Sequence, residues 1–203
     1  MGFSLLFIFT LLRLPLLSQA APFAEVMEIK GLASLEPKHT NLKVGMALSE
    51  GDRITVMSNS LLKLKFAGGS AAQIGAHSEV TLKRSEEKAP SLRLAHGMVL
   101  AVVREPEPAD PMKRNRFEVR AGELSLAVYG GDFFVRSEGD NAAFVCTCSG
   151  AVKARWGKNQ ALLHGKGHDH PVTIRTFETK PQAAKEKGSD HADEDIAALK
   201  NFL

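Results

Sequence analysis

The segment Leu61-Leu62-Lys63-Leu64-Lys65-Phe66-Ala67-Gly68-Gly69-Ser70 alternates apolar and cationic side chains and then breaks at two glycines. Successive side chains of a strand point to opposite faces, so Leu62, Leu64 and Phe66 share one side while Lys63 and Lys65 face the other. The paired glycines supply the positive φ angles that a tight turn requires. The same period of two recurs at Val80-Thr81-Leu82, Leu92-Arg93-Leu94, Phe117-Glu118-Val119 and Leu124-Ser125-Leu126, and more loosely from Glu25 to Ile29. Gly, Asn, Ser or Pro separates these runs every ~10 residues, which is the signature of short strands with one buried face. No long helical pattern precedes the tail. These features predict an all-β domain, an antiparallel β-sandwich or short solenoid-like roll of ten or more strands, with Leu62, Leu64, Phe66, Leu124 and Leu126 in its core.

Leu124 to Asp132 (LSLAVYGGD) echoes Leu62 to Ser70 (LKLKFAGGS), with Gly-Gly at the same offset. A repeated layer would produce this echo, and so would any strand that enters a tight turn. Glu105-Pro106-Glu107-Pro108-Ala109-Asp110-Pro111 reads as a stiff exposed connector. Beyond Glu178 the composition turns polar. Ser189-Asp190 is positioned to cap a short amphipathic helix whose apolar residues are Ile196, Leu199, Phe202 and Leu203. Asp193, Glu194 and Asp195 near its start suit the helix dipole. That stripe is too short to stand alone, so it should dock on the domain or on a partner.

The 203 residues carry a formal net charge of +3, and nothing resembles the basic stripe of a nucleic-acid binder. The cluster Lys113-Arg114-Asn115-Arg116 follows the proline run and reads as a solvated loop. From Phe3 to Leu17 the chain is apolar apart from Arg13 and a few small or polar residues, and Ser18-Gln19-Ala20 offers small residues for cleavage before Ala21. A spanning helix needs ~20 apolar residues without a central charge, so no stable membrane span is expected. Residues 1–20 are thus read as a signal peptide, 21–178 as the β domain with its extension, and 179–203 as polar linker and helix. The expected location is periplasmic or secreted. An uncleaved anchor is the alternative, since no Lys or Arg precedes the apolar run.

The stretch LKVGMALSEGDRITVMSNSLLKLKFAGGSAAQIGAHSEVTLKR (42–84) resembles the opening of the FecR periplasmic domain. The matching features are Gly45, Gly51-Asp52-Arg53-Ile54, Ser60, Gly69-Ser70 and Ser78 to Leu82. LRLAHGMVLAVV and FEVRAGELSLAVYGGDFFV resemble later strands of that domain, so the likeness runs over about residues 25–153. One motif departs: Tyr129-Gly130-Gly131-Asp132-Phe133 stands where the family has an Arg-Gly-Thr-x-Phe turn. The resemblance implies a stand-alone envelope domain, without the cytoplasmic sigma-regulating segment and with no assigned chemistry.

Cys146-Thr147-Cys148 is followed by His164, His168-Asp169-His170 and His191, so four of the seven histidines lie beyond the cysteines. On a strand both thiols face one side. Their Cα atoms would be ~6.6–6.8 Å apart, at the upper edge of disulfide geometry. Free thiols are a liability in an oxidising compartment, and a metal ion removes it. Cys146 and Cys148 with His168, His170 or His191 therefore form a candidate metal site for zinc or, given soft thiolates, copper as Cu(I). A subset of FecR-domain proteins, which the chain also resembles, pairs a Cys-x-Cys strand with a His-rich segment and a His-x-Asp-Glu-x-Ile element, here His191 to Ile196. The competing reading makes the cysteines small core residues and the His-rich segment a polar loop. A Cys148–His164 nucleophile pair lacks an orienting third group.

No nucleophile elbow, phosphate loop or paired-carboxylate pattern is present, so no enzyme is expected. Three functions remain: a non-catalytic envelope module that binds a protein or glycan, a metal-binding or redox protein, and a relative of the anti-sigma sensors. The last requires a membrane span and a cytoplasmic segment that the sequence does not offer.

Overall fold

A computed structural model describes residues 22–104, 117–165, 167–168, 171–184 and 191–203. The export segment, the proline connector, the basic cluster at 113–116 and the predicted caps Ser189 and Asp190 lie outside these residues.

The chain lays down short strands alternately on two facing sheets. It begins with β1 (Ala24–Lys30), β2 (Ala33–Glu36), β3 (Thr40–Asn41), β4 (Ala47–Leu48), β5 (Arg53–Val56) and β6 (Leu61–Phe66). Next come β7 (Ser70–Ile74), β8 (Ser78–Arg84), β9 (Pro90–His96), β10 (Met98–Val103), β11 (Phe117–Ala121) and β12 (Leu124–Val128). The series closes with β13 (Gly131–Ser137), β14 (Ala142–Thr147), β15 (Ala151–Trp156), β16 (Asn159–His164), β17 (Val172–Arg175), β18 (Gln182–Ala183) and one helix, α1 (Asp193–Lys200). The first sheet runs β18-β17-β14-β13-β10-β7-β6-β1-β4 and the second β16-β15-β12-β11-β9-β8-β5-β2-β3. Among the described residues all pairings are antiparallel except β9 with β11, which are parallel because the intervening β10 belongs to the opposite sheet. The result is the expected all-β sandwich.

The alternating residues meet between the sheets. Leu62, Leu64, Phe66, Leu124 and Leu126 are all buried there, in one cluster with Val80, Phe117, Val119 and Trp156. Burying one apolar face of each sheet against the other is the standard two-layer solution. The two Gly-Gly segments are not a structural repeat. Gly68-Gly69 turns β6 into its neighbour β7 within the first sheet, whereas Gly130-Gly131 carries the chain from β12 in the second sheet to β13 in the first.

The strands in the middle of the first sheet are apolar on both faces. In β10, Val99, Ala101 and Val103 face the inner core, while Leu100 and Val102 face outward into a second cluster. Phe134 of β13 and Phe144 and Cys146 of β14 join them on the outer face. The helix α1 covers this face with Ile196 and Leu199. Its N-cap is Ala192, which has no side-chain acceptor, and the Asp195 carboxylate accepts a hydrogen bond from the Ala192 amide at 3.1 Å instead. Among the described residues no helix is long and apolar enough to cross a membrane.

Candidate metal centre

β14 places the two thiols. Val145 and Ala143 point inward, so Cys146 points to the outer face, directly opposite Phe134 of β13 in the antiparallel register. Cys148 follows on the same side, and its amide donates to the Asp132 carbonyl at 2.9 Å. Gly131 permits this junction: its φ is +106°, and a Cβ there would lie 2.4 Å from the Ser149 carbonyl oxygen. Both cysteines are free thiols.

Two histidines reach the thiols from separate segments. His168 lies beyond β16, in a turn tethered by a hydrogen bond from the Gly167 amide to the Cys148 carbonyl at 3.2 Å. His191 immediately precedes Ala192, the N-cap of α1, and its ring stacks on Phe134 with centroids 4.4 Å apart and planes 11° from parallel. One ligand atom from each of Cys146, Cys148, His168 and His191 lies within 4.8 Å of all the others. The sulfurs are 3.9 Å apart, Cys148 Sγ is 3.2 Å from His191 Nε2, and His168 Nδ1 is 2.9 Å from His191 Nε2. With Zn–S about 2.3 Å and Zn–N about 2.0–2.1 Å, tetrahedral ligation separates two sulfurs by ~3.8 Å, sulfur and nitrogen by ~3.6 Å, and two nitrogens by ~3.3 Å. These three distances match within about half an ångström, whereas the whole set, spanning up to 4.8 Å, would have to contract by about 1 Å around an ion.

The surroundings orient and polarise these groups. His168 Nε2 meets Asp193 Oδ1 at 2.9 Å, a carboxylate–histidine pairing of the kind that fixes ring orientation in metal sites. Burial opposes charging of His168, but the hydrogen bonds to Asp193 and Cys146 outweigh it and raise its pKa. The thiol–thiol contact shifts the two cysteines in opposite directions. The Cys148 thiol hydrogen bond, helped by His191 and opposed by burial, pulls Cys146 down to about 5. That same contact, with burial and the Cys146 charge, pushes Cys148 up. Asp132, buried on the same face, accepts from Ser149 Oγ at 2.9 Å and pairs with Lys200 Nζ at 2.8 Å. An open cleft of 280 Å³, lined in part by Asp132, Cys148, His168 and Lys200, leads to the cluster from solvent.

Of the five predicted ligands, four converge. His170 lies outside the described residues. His164 ends β16 in the opposite sheet and belongs to no ligand cluster among the described residues. Asp193, Asp132, Lys200 and Phe134 were not anticipated as parts of this centre. A carboxylate set between glycines and phenylalanines, as in Gly131-Asp132-Phe133-Phe134, was the available signal for Asp132. A second cleft, 480 Å³ beside β14, β17 and β18, is not lined by either cysteine, and its acidic residues Glu138 and Glu178 are paired with Arg136 and Arg175.

Comparison with known proteins agrees with the architecture. Two crystal structures, each of a candidate anti-sigma factor from Parabacteroides distasonis ATCC 8503, superpose with a TM-score of 0.52 at 15% identity. Each alignment covers 66% of this chain and 59% of the other, so the chain spans less than two thirds of those proteins and the likeness is one of fold. No curated protein matches the sequence. The model of the FecR protein family matches residues 52–153, half of the chain, from the turn before β5 to the middle of β15. With its sandwich and its ordered turn motifs in that span, the chain belongs to the FecR protein family.

Proposed function

We propose that this FecR-family protein is an exported, non-catalytic component of the bacterial envelope that holds one zinc ion between Cys146, Cys148, His168 and His191. The convergence of four ligand atoms within 4.8 Å, from three segments distant in sequence, carries this reading. Two thiolates and two imidazoles are a common closed tetrahedral zinc set, and a closed set leaves no coordination position for substrate. That favours a structural or sensing role over catalysis. Cu(I) is the competing occupant, because soft thiolates suit it. The sandwich surfaces then serve binding or scaffolding toward an envelope protein or glycan. Envelope signalling is the setting suggested by the family and by the candidate anti-sigma factors of similar fold.

Zinc titration of the reduced, purified protein against a chromophoric chelator tests the reading. The expected result is one zinc per chain, with binding abolished in the Cys146→Ser/Cys148→Ser double variant and the far-UV β signal retained. Stoichiometric Cu(I) binding without zinc binding would reassign the ion. Failure to bind either would return the cysteines to ordinary core residues.

A further inference from the structure

We infer that the cluster is a metal-operated clasp that holds the C-terminal helix over the outer face of the first sheet, so that metal occupancy governs exposure of an apolar surface. This rests on the metal reading above. Cys146 and Cys148 belong to the sandwich, whereas His191 belongs to the tail, one residue ahead of the N-cap of α1. An ion bound by both therefore ties the tail to the sheet at the start of the helix. Asp193 on the first turn of α1 adds its contact to His168, so two of the four ligands are fixed through the tail.

The helix needs such a tie. It has eight residues, and only Ile196 and Leu199 are buried. A helix this short is marginal in water and depends on tertiary contacts. Its other anchors include the His191–Phe134 ring stack, the Lys200–Asp132 ion pair, Phe202 and Leu203 partly buried on the outer cluster with Phe202 beneath the Lys63 ammonium at 5.7 Å, and a hydrogen bond from Arg104 to the Leu203 carbonyl. Beneath it lie Ala71, Leu100, Val102, Phe134 and Phe144, which form the outer apolar cluster with the helix residues. The outer face of the second sheet contrasts with this, since it presents Lys83, Arg93, Arg120 and Arg155 to solvent. Once the helix leaves, the first sheet displays a contiguous apolar face of the kind that marks interaction sites. The occupant of that face in the metal-loaded state is residues 191–203 of the chain itself. Asp132, at the motif that departs from the family turn, supplies the carboxylate that receives Lys200.

Hydrogen exchange on the reduced full chain, with zinc and with chelator, tests the clasp, and zinc binding is measured separately by calorimetry. An ion that binds only the docked form raises the docked-to-undocked ratio about 1,000-fold at 1,000 times its dissociation constant. Exchange in residues 191–203 should slow accordingly, and binding of a hydrophobic dye should fall. Coupling is reciprocal, so Leu199→Ala, which removes no ligand, should weaken zinc binding by roughly 5- to 150-fold. Zinc binding with unchanged tail exchange and unchanged affinity in Leu199→Ala would overturn the clasp while leaving the metal site standing. No zinc binding at all would overturn the metal reading itself.

Discussion

Leu64 and Leu199 are both fully buried, yet the structure predicts different consequences for truncating them. Leu64 sits on β6 between the two sheets, and that core is lost only when the sandwich unfolds. Leu64→Ala should therefore cost the full price of a core cavity, about 2–5 kcal/mol. For a domain of this size, ~2–4 °C of melting temperature corresponds to each kcal/mol, so the midpoint should fall by roughly 4–20 °C. Leu199 is buried against the outer cluster by a helix that can detach while the sheets persist. Its truncation cannot cost the sandwich more than the free energy by which α1 docks. In metal-free protein that quantity is small, because an eight-residue helix carries the ordering entropy of its own segment and buries only two side chains. Leu199→Ala should shift the main thermal transition, followed by the far-UV β signal in the presence of chelator, by less than ~4 °C, corresponding to under ~1 kcal/mol. It should also abolish exchange protection of residues 193–200, a local opening separate from global unfolding. An equal fall in midpoint for both variants would refute this reasoning and make α1 an integral part of the cooperative unit.

Other outcomes follow from the site's geometry. Gly131→Ala places a Cβ 2.4 Å from the Ser149 carbonyl oxygen at a φ of +106°, so a loss of at least ~1–3 kcal/mol is expected in urea unfolding. Wild-type stability in the same assay would show that the β13–β14 junction yields easily. In metal-free reduced protein, ultraviolet thiolate absorbance should report one thiolate per chain at neutral pH, lost only near pH 5, because Cys146 is held down to about 5 while Cys148 is pushed up. A thiol depressed from 9.0 contributes stability that is present above its unfolded value and declines as pH falls toward 5, since the unfolded chain binds more protons in that window. Two thiols titrating together near 9 would contradict these opposite shifts. If residues 1–20 are a cleaved signal peptide, protein from the native envelope should begin at or near Ala21, and intact Met1 in the membrane fraction would identify an anchor instead.

The alternation of Leu62, Leu64 and Phe66 with Lys63 and Lys65 was enough to establish strands with one buried face, because that pattern is local and needs no knowledge of the partner strand. The same parity placed Cys146 and Cys148 on one face, and the spacing of Ile196 and Leu199 marked the tail as a docking helix. Assignment of strands to sheets was not readable in this way. LKLKFAGGS turns within one sheet and LSLAVYGGD crosses to the other, although their local patterns agree, because the choice depends on which layer still lacks a neighbour. Nor did the periodicity reveal that the first sheet is buried twice, by the second sheet and by α1. The metal centre shows the division most clearly. Composition supplied thiols and imidazoles, but Cys148 and His191 stand 43 residues apart and meet at 3.2 Å only because the tail returns to the outer face of the first sheet, where α1 packs on β7 and β10. The arrival of His191 at the thiols, and of Asp193 to orient His168, is made by the packing of that helix on the sheet, which no single-segment pattern encodes.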